Sequence, residues 1–364
     1  MKYILYLFIF FTFLSSCNDE VANTYGSKPL AMGRLNDMIV IADDDLYDGM
    51  VGDTFKQYFE SAYPIMPFPE PLFDIRHFTA KDLATESLRK ELRTYVILAD
   101  LSDDESAAAK MVRKDIGEER YLKAKSDKTF DTTVGKDKWA RGQLVIYLFG
   151  YGEDALASTI SEKFSAVADR IRMHDEEQLK ASIYAVKREN AGLVADMQAR
   201  YDYSIKIPGD YSTVLYDSIQ NLTWMRKDEN DYTSNIVIKD YPYSNAEQLT
   251  KANIIALRDA YAKEFIAGPS PGSHMVTNTK DLPIYEYTYD IEGHYTKEIR
   301  GVWEMDKDFI GGPYVTYVIV DEDNGRFLLV DTFVYSPGKE KRDLVQQLEY
   351  IVKSSSFIKS PSDS

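Results

Sequence analysis

The sequence is poor in the residues that build the commonest reactive sites. It has 1 cysteine and 4 histidines in 364 residues. One cysteine excludes an internal disulfide framework and a multi-cysteine zinc site. His77, His174 and His294 are scattered, and none has a second histidine three or four residues away, so no metal pair is visible. No phosphate loop and no dinucleotide fingerprint occurs, and no cofactor is implied. Basic residues are outnumbered, 43 against 59, giving a net charge of −16. Such a surface repels phosphate backbones, which argues against a nucleic-acid partner. Beyond the N-terminus no apolar run is long enough to cross a bilayer, which excludes a multi-span protein. No period typical of a solenoid stands out.

What is present begins at the N-terminus. Lys2 precedes an almost unbroken apolar run over 4–14. As a helix this run is too short for a bilayer core of roughly 30 Å, and it reads as the apolar segment of a signal peptide. Leu14, Ser15, Ser16 and Cys17 follow directly. Leucine, two small residues and cysteine resemble a bacterial lipobox, which implies cleavage before Cys17 and acylation of that residue. Several acyl chains give stable anchoring where one is marginal. The expected partner of Cys17 is therefore the lipid bilayer. Asn18, Asp19 and Glu20 resemble the surface-export signal of Bacteroidetes-type lipoproteins and favour the cell surface over the periplasmic face of the outer membrane.

The expected organisation is a signal peptide over 1–16 and a flexible tether over 17–31. An N-terminal domain over 32–152, a helical region over 153–202, a C-terminal domain over 203–357 and a tail over 358–364 follow. In the first domain, apolar runs at 38–42, 73–78, 95–99 and 143–149 predict strands, with helical pattern after Asp53, over 81–93 and from 102 toward 125. This order is compatible with a split βαβ sandwich. Leu156, Ile160, Phe164, Val167 and Ile171 form one apolar stripe, with a break expected near His174 and Asp175. In the last domain, strands are predicted at 203–207, 222–226, 234–239, 284–291, 301–305, 314–320 and 326–334. Ser244 and Glu247 read as a capping box opening a helix with Ile254, Leu257, Tyr261 and Phe265 inward. Asn324 and Gly325 predict a tight hairpin. A closing helix places Leu344, Leu348 and Ile351 on one side. The fold class is α+β: two α/β sandwich domains, the second mostly an antiparallel sheet with helices, joined by a helical region.

Candidate chemistry is sparse. Asp43, Asp44 and Asp45 fall at a strand end where hard cations can bind, but adjacent residues on an extended chain point alternately, so a solvated loop is expected. Asp321, Asp323 and Asn324 superficially resemble a calcium loop without its later glutamate, and read as a hairpin turn. Ser270, Ser273 and His274 lie in a Pro/Gly-rich loop without a nucleophile elbow. No catalytic residue and no metal ligand is assigned. Tyrosine is the compositional outlier, at 27 residues. It offers large area at low entropy cost and is enriched at interfaces. Tyr285, Tyr287 and Tyr289 are expected in the core, whereas Tyr211, Tyr241 and Tyr243 are expected in loops as interaction candidates. Asp131-Thr132-Thr133 and Asp217-Ser218-Ile219 match a short O-glycosylation pattern at Thr132 and Ser218.

The chain resembles the DUF4837 family (domain of unknown function) of Bacteroidetes-type envelope lipoproteins. The residues that carry this are Gly33-Arg34-Leu35-Asn36-Asp37, Gly49-Met50-Val51-Gly52-Asp53, the stretch 67–75, and Phe333-Val334-Tyr335-Ser336-Pro337-Gly338. The resemblance implies coverage of nearly all the mature chain and brings no activity with it. The closing strand, Pro-Gly turn and helix also resemble the end of a PsbP-like α/β sandwich, a likeness of fold alone.

These readings lead to an outer-membrane-anchored lipoprotein acting as a non-enzymatic subunit of an envelope complex. Its expected partner is another outer-membrane or envelope protein. The alternatives are an envelope hydrolase using paired carboxylates, and a solute-binding lipoprotein with a pocket between two domains.

Overall fold

The structure, a computed structural model, describes residues 28–185 and 188–358. Cys17, the signal peptide and most of the tether lie outside the described residues, as does the tail beyond 358. The chain divides into two units, 28–59 with 73–171 and 60–72 with 172–358. The segment 60–72, which the sequence reading kept in the first domain, thus packs with the second.

The first unit is built on β1 (Asp37–Ile41), α1 (Asp44–Tyr47), α2 (Met50–Phe59), β2 (Asp74–Phe78), α3 (Ala80–Thr85), β3 (Thr94–Asp100), α4 (Ala107–Ile116), α5 (Glu118–Ser126), β4 (Thr132–Lys136) and β5 (Leu144–Gly150). The sheet order is β2-β1-β3-β5-β4, parallel except for β4. The α+β class stands, but the split βαβ expectation is corrected, because that motif needs antiparallel neighbours. Helical crossovers from β1 to β2 and from β2 to β3 return the chain in the same direction. Strands covered on both faces read as continuous apolar runs, which is why β3 and β5 were visible in the sequence. Polar, edge-lying β4 was not.

One face of this sheet packs Ile39, Ile41, Tyr95, Ile97, Val145 and Phe149 with Leu83 of α3 and Val112 of α4. Beyond β5 the chain enters α6 (Glu153–Tyr184), which contributes its first half to this unit. Phe164 of α6 meets Phe59 of α2 edge-on, with ring centres 5.0 Å apart. Gly150 lets the helix start this close: a Cβ there would sit 2.4 Å from the backbone N of Leu156. α6 runs through His174 and Asp175, so the break expected there is corrected. It falls before α7 (Ala191–Tyr201), where the Asn190 side chain caps the new helix by accepting from Leu193 N at 3.2 Å.

The second unit continues with β6 (Tyr203–Ser204), β7 (Tyr211–Asp217), β8 (Leu222–Asp228), β9 (Thr233–Pro242), α8 (Lys251–Phe265), β10 (Met275–Asn278), β11 (Tyr285–Ile291), β12 (His294–Met305), β13 (Gly311–Asp321), β14 (Arg326–Tyr335), α9 (Arg342–Lys353) and β15 (Ser356–Phe357). Its large sheet is antiparallel, in the order β10-β12-β13-β14-β9-β8-β7, and β11 also pairs with β12. The expected hairpin joins β13 to β14. Its loop has four residues between the paired Asp321 and Arg326, with Gly325 at φ 59°.

The capping box is corrected to Asn245 and Gln248, one residue further on, opening a 3-10 turn (Ala246–Leu249) ahead of α8. α8 fully buries Ile254, Arg258, Tyr261 and Ala262, while the expected Leu257 and Phe265 are half-buried against the same core. Helical spacing alone puts Arg258 on that face, four residues after Ile254 and three before Tyr261. The segment 60–72 completes α9: Glu70 accepts from the backbone N of Lys341 and Arg342 at 2.9 and 2.7 Å. A carboxylate placed there satisfies N–H groups that no helical carbonyl can reach.

Candidate binding groove and buried ion networks

Among the expected interaction tyrosines, Tyr211 and Tyr241 are not loop residues. Tyr211 opens β7 and is only 5% exposed, which withdraws it from the surface. Burial also raises its phenol pKa. Tyr241 lies in β9, because β14 pairs with β9 as far as Pro242. Its ring stacks on Phe327 at 5.3 Å, and Tyr243 meets the same ring edge-on at 6.5 Å. The structure therefore brings Tyr241 and Tyr243 together around Phe327 and leaves Tyr211 on edge strand β7, two strands away from β9.

Tyr243 borders an open groove of about 580 Å³ in the second unit, shared with Leu249, Lys251, Glu286, Tyr295, Lys297 and Glu322. One wall is held rigid by Gln248. Its Oε1 accepts from Ser244 N, Ser244 Oγ and Asn245 N at 2.7, 2.9 and 3.1 Å, while its Nε2 donates to Pro242 O at 2.9 Å. Lys251 Nζ reaches Ile284 O at 3.1 Å, and Lys297 pairs with Glu286 across β11 and β12. The two lysines and two glutamates balance, so the groove offers aromatic faces and hydrogen bonds rather than net charge. Sequence reasoning missed Tyr295, Lys297 and Glu286 because only strand pairing assembles them.

β11 is an edge strand, and among the described residues it pairs with β12 alone. The expectation of a tyrosine core here is corrected: Tyr285 and Tyr287 are 37% and 43% exposed, and Tyr295 of β12 is 44% exposed. Alternation placed the tyrosines on one face correctly, but among the described residues no helix covers the outer part of that face.

Further in on the Tyr287 face lies a charged cluster. Arg300 contacts Glu298 (Nε–Oε1 2.6 Å) and Glu349 of α9 (Nη1–Oε1 3.1 Å). Lys353 reaches Glu298 at 3.4 Å and Glu349 at 3.2 Å, Tyr63 donates to Glu349 at 2.9 Å, and Tyr289 donates to Glu298 at 2.5 Å. Burial works to raise the Glu349 pKa, but Arg300 and Lys353 outweigh it and hold the carboxyl below its ordinary value. An acid kept ionised in this way suits ion pairing rather than proton donation. On the opposite face Arg258 and Asp331 pair at 3.2 Å. Tyr261 and Thr316 donate to Asp331, and Arg258 donates to Thr277 at 3.1 Å.

The remaining sequence candidates have ordinary partners. Asp43 precedes α1 instead of ending in a loop, and its carboxylate accepts from Ser106 Oγ and Ala107 N, fixing the start of α4. Asp321 is engaged by Asn324 and Arg326 of its own hairpin. Ser270 Oγ donates to Asp308 at 2.5 Å, and His274 lies 3.4 Å from Asp306. No group of three or more potential metal ligands occurs among the described residues. His77 stacks on Tyr47 at 3.9 Å, and His294 Nδ1 lies 3.0 Å from Val320 O. Ser218 is exposed in the β7–β8 turn, where Asp217 accepts from Ile219 N and Gln220 N at 2.8 Å. Thr132 is half-buried at the start of edge strand β4.

Two family models match the chain, and their boundary near 184–190 lies past the point within α6 where the two units divide, with 60–72 and 172–184 in the N-terminal match but in the second unit. Residues 190–354 match the family model described as domain of unknown function (DUF4837). That region of the chain belongs to the DUF4837 family. Residues 31–184 match a second one, domain of unknown function (DUF8532). The expected reach of DUF4837 over nearly the whole mature chain is thereby corrected. The motifs at 33–37, 49–53 and 67–75 fall in the DUF8532 region, and only 333–338 lie in the DUF4837 domain. No curated protein matches the chain. Among solved structures the chain is similar to LpqN, involved in cell envelope biogenesis of Mycobacterium tuberculosis. That likeness has 11% identity and a TM-score of 0.27, and covers 42% of this chain and 82% of the other. It carries no argument about function.

Proposed function

We propose that the protein is an outer-membrane lipoprotein of the Bacteroidetes type, anchored through acylated Cys17 and favouring the cell surface. It acts as an interaction subunit of an envelope complex. The observation that carries the interaction reading is the open edge of β11, bordered on one face by exposed Tyr285 and Tyr287 and on the other by the groove of Tyr243, Tyr295 and Lys251. An extended protein segment adding to a sheet edge gains backbone hydrogen bonds, and flanking side-chain pockets give selectivity. Tyrosines on both sides supply contact area at low entropy cost. The proposed partner is therefore an extended segment of another envelope protein, and the lipobox-like Leu14-Ser15-Ser16-Cys17 supports a meeting at a membrane.

The test is site-specific photo-crosslinking in intact cells, with the reactive residue at 287 or 295, and at exposed 216 on the far edge as control. The reading expects one crosslinked protein from 287 and 295, lost in a Tyr243→Ala/Lys251→Ala variant and absent from 216. Equal labelling from all three positions counts against it. Anchoring is checked separately: Cys17→Ala should abolish acylation and release the body from the outer-membrane fraction.

A further inference from the structure

A second recess lies wholly within the first unit. α3 and α4 present helical stripes to it: Ala80, Leu83 and Ala84 from one, and Ala107, Lys110, Met111 and Lys114 from the other. The loop residues Lys138 and Trp139, together with Lys90, close the remaining side, and the cavity measures about 400 Å³. This lies within the range of small-ligand sites. Three alanines open the cleft, and Leu83, Met111 and Trp139 make its interior apolar.

The rim is the unusual part. In a chain of net charge −16, four lysines border one apolar recess. The one acid among the lining residues, Asp115, is already engaged by Lys138 and by the Tyr147 hydroxyl at 2.9 Å. Lys110 is paired with Glu105 at 3.1 Å. Lys90 and Lys114 form no ion pair among the described residues, although acids are in surplus. An uncompensated cation pair at the mouth of an apolar cleft selects an anion attached to a hydrocarbon body. An inorganic anion would leave the apolar interior unused, and a neutral hydrocarbon would leave the lysines unused.

We infer that this recess binds a single-chain anionic amphiphile, an acyl chain ending in a carboxylate or phosphate. The chain lies over Leu83, Met111 and Trp139, and the headgroup lies between Lys90 and Lys114. The site is distinct from the groove of the second unit and needs neither the partner protein nor the Cys17 anchor.

The experiment is photolabelling of the purified full chain with a diazirine-bearing laurate, mapped by peptide mass spectrometry. The label is expected on the peptides carrying Leu83, Met111 or Trp139. Laurate or dodecyl phosphate should displace it, and which of them does identifies the headgroup; dodecanol should not. The Lys90→Glu/Lys114→Glu variant should lower labelling roughly tenfold or more through like-charge repulsion. Ala84→Trp should block the recess sterically, and unchanged urea midpoints show that both variants fold. Label mapped elsewhere, displacement by dodecanol as effective as by the anions, displacement by neither anion, or undiminished labelling of the charge-reversed protein would each overturn the inference.

Discussion

Strands β3 and β5 of the first unit and strands β12 and β14 of the second fill their buried positions with different chemistry. β3 and β5 fill their buried positions almost wholly with Tyr, Val, Ile, Leu, Ala and Phe. β12 and β14 bury Glu298, Arg300 and Asp331 alongside their apolar residues. Each of those charges is answered by a residue remote in sequence: Arg258 on α8, Glu349 and Lys353 on α9. An apolar strand accepts any apolar cover of suitable shape. A charged one accepts only the element that brings its counter-ion, so in the second unit the ion networks dictate which helix covers which face.

The largest effect should follow from removing one member of the Arg258–Asp331 pair. Asp331→Ala leaves the buried guanidinium with only the longer 3.7 Å contact to Asp259 and strips the acceptor from Tyr261 and Thr316. We expect a loss of about 3–5 kcal/mol, read from urea unfolding followed by tryptophan fluorescence. The double variant Arg258→Met/Asp331→Leu should recover most of that loss, because a well-packed apolar pair replaces the ion pair. A loss below about 1 kcal/mol for Asp331→Ala would show that the pair is not what holds α8 on its face.

The counterpart in the first unit is Ile97→Ala in β3. Ile97 is fully buried, so its truncation should cost about 3 kcal/mol from lost transfer energy and the cavity left behind. Salt should leave that loss unchanged, since no charge is involved. If salt shifted it as strongly as it shifts a variant of the Arg300 cluster, the contrast between the two sheets would fail.

The same contrast explains what could be read in advance. β1, β3 and β5 were visible because buried parallel strands are unbroken apolar runs, and the β13–β14 hairpin because Gly325 marks its turn. Parallel pairing was not visible, since strand order is set by crossovers rather than by any strand's own residues. Arg258 was overlooked because a charged residue on an apolar stripe looks like a solvent position until Asp331 is placed opposite it. The groove was half legible: Tyr243 was picked out by composition and loop position, whereas Tyr295, Lys297 and Glu286 converge only through the register of β11 and β12. Exposure of Tyr287 was misread for a related reason. Alternation identifies a face but not whether a helix covers it.

The smallest and most diagnostic effect concerns Glu349, where the charged sheet should show a pH signature that the apolar one lacks. Arg300 and Lys353 hold this carboxyl below its ordinary value in the folded protein. A group whose folded pKa is depressed stabilises the fold above its unfolded pKa, about 4.3 for a glutamate. That contribution disappears as the pH falls through the lower, folded value. Glu349→Gln should therefore cost about 1–3 kcal/mol at neutral pH, the range for a charged hydrogen bond partly replaced by a neutral one. The gap between wild type and variant should narrow steadily below pH ~4 and close where both are uncharged at this position. Ile97→Ala should show a constant gap over the same range. A Glu349→Gln gap that widened on acidification would mean that burial, not Arg300 and Lys353, governs this carboxyl, and that it is available as a proton donor after all.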